Sequence, residues 1–137
     1  MDLENAKAQM RKGVLEMCVL AVIAGRETYP PEIKDKLEGT SLFVKEGTLY
    51  PLLVRLKNDG LVDYIWREGK NGPPRKYFTI TDNGKKFLEE LTASWQELVH
   101  AVQQTIESQN DSRDAESTAE MSEAPRPLNI EPLPPDA

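Results

Sequence analysis

The chain has very few of the residues on which most catalytic and metal sites depend. Its 137 residues include one cysteine, Cys18, and one histidine, His100. A disulfide within the chain is therefore impossible, no cysteine and histidine cluster has metal-site spacing, and no glycine-rich phosphate loop follows a strand-like run. We expect no enzymatic activity, no catalytic residues, no metal and no cofactor. Cys18 lies in an apolar run, which favours a buried small hydrophobic residue over a reactive thiol.

Long apolar segments are also lacking. No run of eighteen apolar residues, the length needed to cross a bilayer, is present. Residues 1–12 carry charges without the apolar block of a secretion signal. The sequence therefore predicts a soluble, cytoplasmic protein without a membrane partner.

Positive charge is scarce in the chain as a whole, since 17 basic residues face 23 acidic ones, a net charge of −6. The charge is unevenly distributed: residues 1–80 hold 13 basic and 11 acidic residues, or +2, whereas residues 81–137 hold 4 and 12, or −8. A net of +2 gives only a weak positive field. Binding to a polyanion would depend on a few local cations in the first part of the chain.

The most informative segment runs from Glu46 to Gly60. Its leucines stand at i, i+3, i+4 and i+7, which predicts one buried face of an α-helix. These leucines are Leu49, Leu52, Leu53 and Leu56. The opposite face is small, hydroxylated, cationic or amide in character, and such a face suits a DNA groove. It carries Gly47, Thr48, Pro51, Val54, Arg55 and Asn58, with Tyr50 and Lys57 on its flank.

Two other helices are predicted before this segment. Residues from Met10 to Ala24 are apolar almost all round, which is typical of a central buried helix that ends at Gly25. Residues from Pro31 to Leu37 form a short amphipathic helix, and a Gly-Thr-Ser turn follows it. Short helix, turn and longer helix is the order of a helix-turn-helix.

A hairpin is predicted after the longer helix. Two strand-like runs, 61–66 and 75–81, flank a loop that contains glycine and two prolines. Lys70, Arg75 and Lys76 place positive charge at its tip or base, and Trp66 is predicted to lie in the core. The fold class is therefore mainly α with a small β-hairpin (α+β), a winged helix-turn-helix over residues 1–81.

A long helix is predicted over residues 82–107, with Thr81 or Asp82 as its cap. Apolar residues recur three and four apart along it, which is a heptad pattern. They are Leu88, Leu91, Trp95, Leu98 and Val102, with Ile106 widening the stripe. A helix of about 39 Å outruns a body of this size, so the stripe needs a second chain. We interpret residues 82–107 as a dimerisation helix and the stripe as the interface of a homodimer.

Residues 108–137 change to an acidic, proline-rich composition, with five prolines among the last thirteen residues. This composition predicts a disordered tail. It also carries much of the negative charge, with 2 basic against 7 acidic residues.

Several short motifs together resemble the PadR-like transcriptional regulators. They are Gly13 to Ile33, Glu46-Gly47-Thr48-Leu49-Tyr50-Pro51, Arg55-Leu56, Gly60-Leu61, and Arg75-Lys76-Tyr77-Phe78 to Thr81. The resemblance covers about residues 8 to 107, and in length the chain is similar to the subfamily with a single C-terminal dimerisation helix. One departure is visible, because the family commonly has Tyr-Gly-Tyr-Glu-Ile where this chain has Thr-Tyr-Pro-Pro-Glu-Ile at residues 28–33.

The resemblance implies a homodimer that binds a palindromic operator in double-stranded DNA, usually as a repressor of an adjacent operon. Thr48, Tyr50 and Arg55 are then candidates for groove contacts, since a hydroxyl can serve a base or a phosphate and arginine can hold guanine at two points. Lys45, at the helix start, is expected to touch phosphate. The full set of predicted DNA-binding residues is Lys45, Thr48, Tyr50, Pro51, Arg55, Lys70, Arg75 and Lys76.

Trp95 has two interpretations, since a heptad tryptophan commonly serves only packing. The resemblance also implies a pore between subunits in which flat aromatic compounds stack on a tryptophan at this position. Trp95 and Leu98 are accordingly candidates for binding a small aromatic effector that releases DNA. A different class of function is also open at this point: a winged helix that binds proteins rather than DNA, as the acidic tail and weak positive field would permit.

Overall fold

The structure is a computed structural model that describes residues 2–116. Four helices and a hairpin follow one another along the chain. They are α1 (Leu3–Gly25), α2 (Pro30–Leu37), α3 (Glu46–Asn58), β1 (Val62–Gly69), β2 (Gly72–Ile80) and α4 (Asp82–Glu116). This order confirms the predicted fold class, a winged helix-turn-helix of α+β type followed by a long helix. No helix among the described residues is both long and apolar enough to span a bilayer.

The core lies where α1, α2 and α3 meet the hairpin. The four leucines of α3 are all buried, as their spacing predicted. They pack with Val19, Leu20 and Ile23 of α1, and with Val62 and Phe78 of the hairpin. Burying this much aliphatic surface is the main stabilising contribution to a domain of this size.

Cys18 lies beside this core and is half-buried. Burial raises the pKa of the Cys18 thiol, so less of the reactive thiolate is present at neutral pH. This agrees with the packing interpretation made from the sequence.

The segment between α1 and α2 pairs with the hairpin through a single β-bridge, which the sequence did not reveal. Thr28 is buried and forms an antiparallel bridge with Phe78 of β2, in which each backbone N–H donates to the other carbonyl at 2.9 and 2.8 Å. The Thr28 hydroxyl donates to the carbonyl of Arg26 at 2.5 Å. The hairpin is therefore fastened at its base to the start of α2.

The two prolines that depart from the family motif begin α2 at Pro30, one residue earlier than predicted. Proline suits these first positions because its missing N–H has no intrahelical partner there. Glu32 reaches back and accepts a hydrogen bond from the backbone N–H of Tyr29 at 3.1 Å. The helix therefore begins cleanly in spite of the altered motif.

Gly60 ends α3 as predicted. Its φ is 76°, a left-handed conformation that glycine adopts without the steric cost paid by other residues. The N–H of Gly60 donates to the carbonyl of Lys57, and that of Leu61 donates to the carbonyl of Leu56, both at 3.0 Å. This pair of bonds is a Schellman motif, and it turns the chain directly into β1.

The hairpin is longer than predicted, because both strands reach the Lys70-Asn71 turn. Its register pairs Val62 with Ile80 and Trp66 with Lys76, and an irregularity lies between Arg67 and Gly69.

The prediction that Trp66 belongs to the core is wrong, since 62% of its surface is exposed. Val62, Tyr64 and Trp66 share one face of β1, but only the first two pack in or against the core. The outer half of the hairpin projects beyond the core, so apolar alternation continues there without burial.

Thr81 caps α4, as predicted: its hydroxyl accepts the N–H of Gly84 at 2.9 Å and donates to the carbonyl of Gly60 at 2.6 Å. The helix runs to Glu116 rather than Glu107, so the predicted disorder is wrong for residues 108–116. The physical reason is that neither glycine nor proline occurs between residues 85 and 124, and polar composition alone does not stop a helix. The rest of the predicted tail, residues 117–137, lies outside the described residues.

The chain divides into a compact body that ends at Glu90 and a second unit that starts at Leu91. The first turns of α4 belong to the body, where Leu88 packs against the core. Leu88 was predicted as part of the dimer stripe. Leu88 is only half-buried there, so its place in the dimer stripe stays a prediction.

Candidate nucleic-acid interface

The outward face of α3 is exposed, as the leucine spacing predicted. Gly47, Thr48, Pro51 and Val54 all lie on the surface, and Tyr50 is exposed at its edge. The face therefore presents a hydroxyl, small residues and apolar groups, without a carboxylate between residues 47 and 58. Such a surface can approach a groove closely without repelling phosphates.

Lys45 occupies the N-cap position of α3 and is exposed. Its carbonyl accepts the N–H groups of Thr48 at 2.9 Å and Leu49 at 3.0 Å. An ammonium group at a helix N-terminus adds to the positive end of the helix dipole. This combination suits a phosphate.

Arg55 lies on a different flank of α3 from Tyr50, about 140° around the helix. Its guanidinium forms an ion pair with Glu16 of α1, a contact that the sequence did not predict. On the opposite flank, Lys57 pairs with Asp63 of β1 at 3.6 Å. The cations in the last turn of α3 therefore already have acidic neighbours, which leaves less positive charge there than the sequence suggested.

Two cations of the hairpin lie against aromatic rings. The guanidinium of Arg75 lies 4.9 Å from the centre of the Tyr29 ring, and the ammonium of Lys76 lies 4.1 Å from that of Tyr64 and 5.3 Å from that of Trp66. These are cation–π distances. They restrict where the two charges can move while leaving their polar atoms available to an anion. Lys70 lies in the turn at the hairpin tip and is exposed.

A cleft of about 440 Å³ lies between α3 and the hairpin. Tyr50 and Val54 line it from the helix, and Trp66, Arg75 and Lys76 line it from the strands. The structure thus brings Tyr50, Arg75 and Lys76 together in one concave surface. Lys45, Thr48, Pro51, Arg55 and Lys70 lie outside the residues that line this cleft.

Glu27 is a further charged residue that sequence reasoning missed. Its carboxylate accepts hydrogen bonds from Nε and Nη2 of Arg67, the latter at 2.9 Å. Arg67 stands directly opposite Arg75 in the hairpin, so Glu27 offsets a repulsion between like charges across the strands.

The hydrogen bond from Arg67 lowers the pKa of Glu27. The stabilisation from this pair is therefore present above the carboxyl group's unfolded pKa and is lost only as the pH falls through the lowered, folded-state value. The two partners are 40 residues apart, so no local pattern could have indicated the pair.

The second unit presents an apolar stripe along α4. The exposed fractions are 56% for Leu98, 46% for Val102 and 39% for Ile106. A shallow depression of about 220 Å³ lies among Ala101, Val102, Thr105 and Ile106. Leu91 and Trp95 of the same heptad are half-buried.

Comparison with known proteins identifies the family. The pattern of the transcriptional regulator PadR-like family matches residues 19–90. A PadR-like transcription factor from Bacteroides fragilis is 52% identical, with a TM-score of 0.62, over 72% of this chain and 95% of its own. A PadR-like transcriptional regulator from Bacillus cereus is 39% identical, with a TM-score of 0.64, over 72% and 96% of the two chains. A PadR family transcriptional regulator from Eggerthella lenta is 31% identical, with a TM-score of 0.70, over 76% and 91%.

The family match covers α2, α3, the hairpin and the start of α4, which are the elements that carry the exposed helix face and the cations beside it. The chain therefore belongs to the PadR-like family of transcriptional regulators and is a DNA-binding regulator of transcription.

Proposed function

We propose that the protein binds a palindromic operator as a homodimer and represses an adjacent operon. In this proposal α3 enters the major groove and the hairpin lies on the flanking backbone. The observation that carries it is the cleft that Tyr50 of α3 shares with Arg75 and Lys76 of the hairpin. One surface there combines a helix face that fits a DNA groove with cations that can bind the phosphate backbone of DNA.

The residues divide by the kind of contact they would make. Thr48, Tyr50, Pro51 and Arg55 belong to α3 and would meet base edges or the sugars beside them. The cations Lys45, Lys70, Arg75 and Lys76 would meet phosphates, which supply affinity rather than sequence preference.

A gel-shift and footprinting experiment tests the operator. The DNA upstream of the protein's own gene is titrated at low and moderate salt, and the protected bases are mapped. We expect two protected half-sites related by inverted symmetry, with centres about 34 Å apart, one turn of the duplex. Binding without sequence preference at moderate salt, or a single protected half-site, would contradict the proposal.

The hairpin cations give a separate prediction. Replacing Lys70 and Lys76 together with alanine is expected to weaken binding to operator and to random DNA alike. Each phosphate contact contributes roughly one unit to the slope of log affinity against log salt. The slope of the double variant should therefore fall by about two units, measured by titration at several salt concentrations.

The control replaces Lys85 and Lys86, two exposed lysines of α4 outside the hairpin, with alanine. This control variant loses the same amount of positive charge. Any change in slope that comes only from the overall charge of the protein should therefore appear in both double variants. Equal slopes for the two double variants would argue against a phosphate contact by the hairpin.

The same proposal assigns the stripe of α4 to the dimer interface, with Leu88, Leu91, Trp95, Leu98, Val102 and Ile106 as its members. The support is the exposure of its last three apolar residues. Isolated apolar residues on a surface are common, but a continuous stripe at heptad spacing is typical of a helix that packs against another.

A small aromatic effector completes the proposal. A planar compound would stack on Trp95 beside Leu98 at the dimer interface and favour a dimer geometry that does not fit the operator. We expect aromatic compounds from a panel to quench Trp95 fluorescence and to release DNA at the same concentrations. The measurement uses a Trp66→Phe background, since Trp66 is exposed and would add its own signal. Quenching without DNA release, or release at the same concentrations in a Trp95→Phe variant, would argue against an effector site at Trp95.

A further inference from the structure

The ion pair between Glu16 and Arg55 joins α1 to the flank of α3 that faces away from the hairpin cleft. The side chain of Arg55 remains 59% exposed and that of Glu16 42% exposed. The pair is therefore at the surface, beside Thr48, which lies on the same flank of α3 two turns earlier. More than half of the arginine side chain is exposed, so a ligand can reach it.

An unrestrained arginine at this position would sample many rotamers, and a groove contact would require one of them to be fixed at an entropic cost. Arginine carries five N–H donors in a rigid, planar fork. The carboxylate of Glu16 contacts the guanidinium at Nη2, and the guanidinium carries more N–H donors than this one contact uses. A carboxylate bound to one part of the guanidinium can therefore fix the orientation of the guanidinium plane, while a base edge accepts hydrogen bonds from the remaining donors.

We propose that Glu16 is a positioning residue for sequence reading: it orients Arg55 so that the guanidinium meets one base pair in each operator half-site. The inference rests on the proposed function, in which Arg55 contacts the groove. In this inference Glu16, which lies in α1 outside the helix-turn-helix, affects the sequence preference of the protein without contacting DNA.

A second role for the same carboxylate predicts a different result. If Glu16 acts only as a negative charge near the duplex, its removal strengthens binding to every DNA sequence equally. If it orients Arg55, its removal lowers the ratio of operator affinity to random-DNA affinity. The ratio separates the two roles, because uniform electrostatic effects cancel in it.

The experiment uses the full chain and an operator obtained by selecting the best-bound duplex from a randomised library. Affinities for this duplex, for each single base-pair change in a half-site, and for random DNA are measured for four proteins. They are the wild type, Glu16→Gln, Arg55→Ala and the double variant. The control is Glu4→Gln, which removes the same charge from α1 at a residue that pairs with Lys7 instead.

We expect Arg55→Ala to lose discrimination at one base pair of the half-site by about five- to 150-fold, the range of a good base contact. Glu16→Gln should lose about two- to fivefold at the same base pair, the range of a surface ion pair. Glu4→Gln should leave the ratio unchanged. In the Arg55→Ala background, Glu16→Gln should have no further effect, since the side chain that it orients is gone.

Each contrary result has a distinct meaning. If Glu16→Gln behaves like Glu4→Gln while Arg55→Ala loses discrimination, the positioning role is overturned and the proposed function stands. If Arg55→Ala keeps full discrimination between base pairs, Arg55 does not read a base. Glu16 then has no base contact to position, and the inference fails. If the wild type selects no sequence, the proposed function itself fails. Thermal unfolding of each variant checks that a changed ratio does not come from a misfolded protein.

Discussion

Replacing Gly84 with alanine is expected to lower the free energy of unfolding by about 2–3 kcal/mol, although alanine is ordinarily the better helix former. A Cβ atom at this position would lie 2.0 Å from the carbonyl oxygen of Leu61 and 2.7 Å from Cγ1 of Ile80. The Leu61 carbonyl cannot easily withdraw, because it accepts the N–H of Thr81 at 3.1 Å and its own N–H is held by the Schellman motif. The first turn of α4 would have to move instead, which disrupts the Thr81 cap.

Chemical denaturation at fixed protein concentration measures this effect, and thermal unfolding should show a midpoint about 10–20 °C lower. Gly13→Ala is the matched control. Gly13 lies in α1, and a Cβ atom added there would meet no atom within 4 Å among the described residues apart from its chain neighbours and the nearby backbone of its own helix. The same substitution at Gly13 should therefore stabilise the protein by about 0.5–1 kcal/mol. If both variants shift stability in the same direction, the close approach of α4 to Leu61 is not a feature of the folded protein.

The parts of the fold that the sequence predicted correctly are those set by local periodicity and turn chemistry. The four buried leucines of α3, the glycine end at Gly60 and the cap at Thr81 each depend on residues within a few positions of one another. Local patterns of this kind survive in the folded protein when tertiary contacts reinforce them.

The errors occurred where the outcome depends on distant parts of the chain. The alternation that places Trp66 on the same strand face as Val62 does not reveal where the core stops. The bridge between Thr28 and Phe78 involves residues fifty positions apart, and nothing in either local sequence predicts it. The helix end at Glu107 was inferred from composition, yet composition contains no stop signal there.

The candidate interface shows the same division. Its cations were found from the sequence because they cluster beside a predicted turn, and the exposed face of α3 follows from its leucine spacing. Their partners were not found: Tyr29 beneath Arg75, Glu16 beside Arg55, and Glu27 beside Arg67 all come from segments far away in sequence. Sequence patterns thus indicate which residues can bind DNA, while the folded structure determines which of them are already restrained by a neighbour.

Replacing Val102 with glutamate is expected to convert the protein to a monomer and to weaken operator binding by at least about a hundredfold. In a two-fold dimer each substitution appears twice in one interface, so two carboxylates would be placed in an apolar surface. A monomer would hold one half-site at a time and lose the gain in effective concentration that two linked binding surfaces provide. Light scattering at micromolar concentration reports the oligomeric state, and a titration of the selected operator reports the affinity.

Gln104→Glu is the control, since it adds the same charge two residues away at an exposed position on another side of α4. It should remain dimeric and bind with nearly wild-type affinity, which excludes repulsion between the added charge and DNA as the cause. Circular dichroism should show the same helix content for both variants, because neither change removes a helix-forming residue from the body. A Val102→Glu protein that stays dimeric would place the interface on another surface. A monomeric variant with full operator affinity would instead show that one protomer suffices for binding, and the palindromic operator would then lose its physical basis.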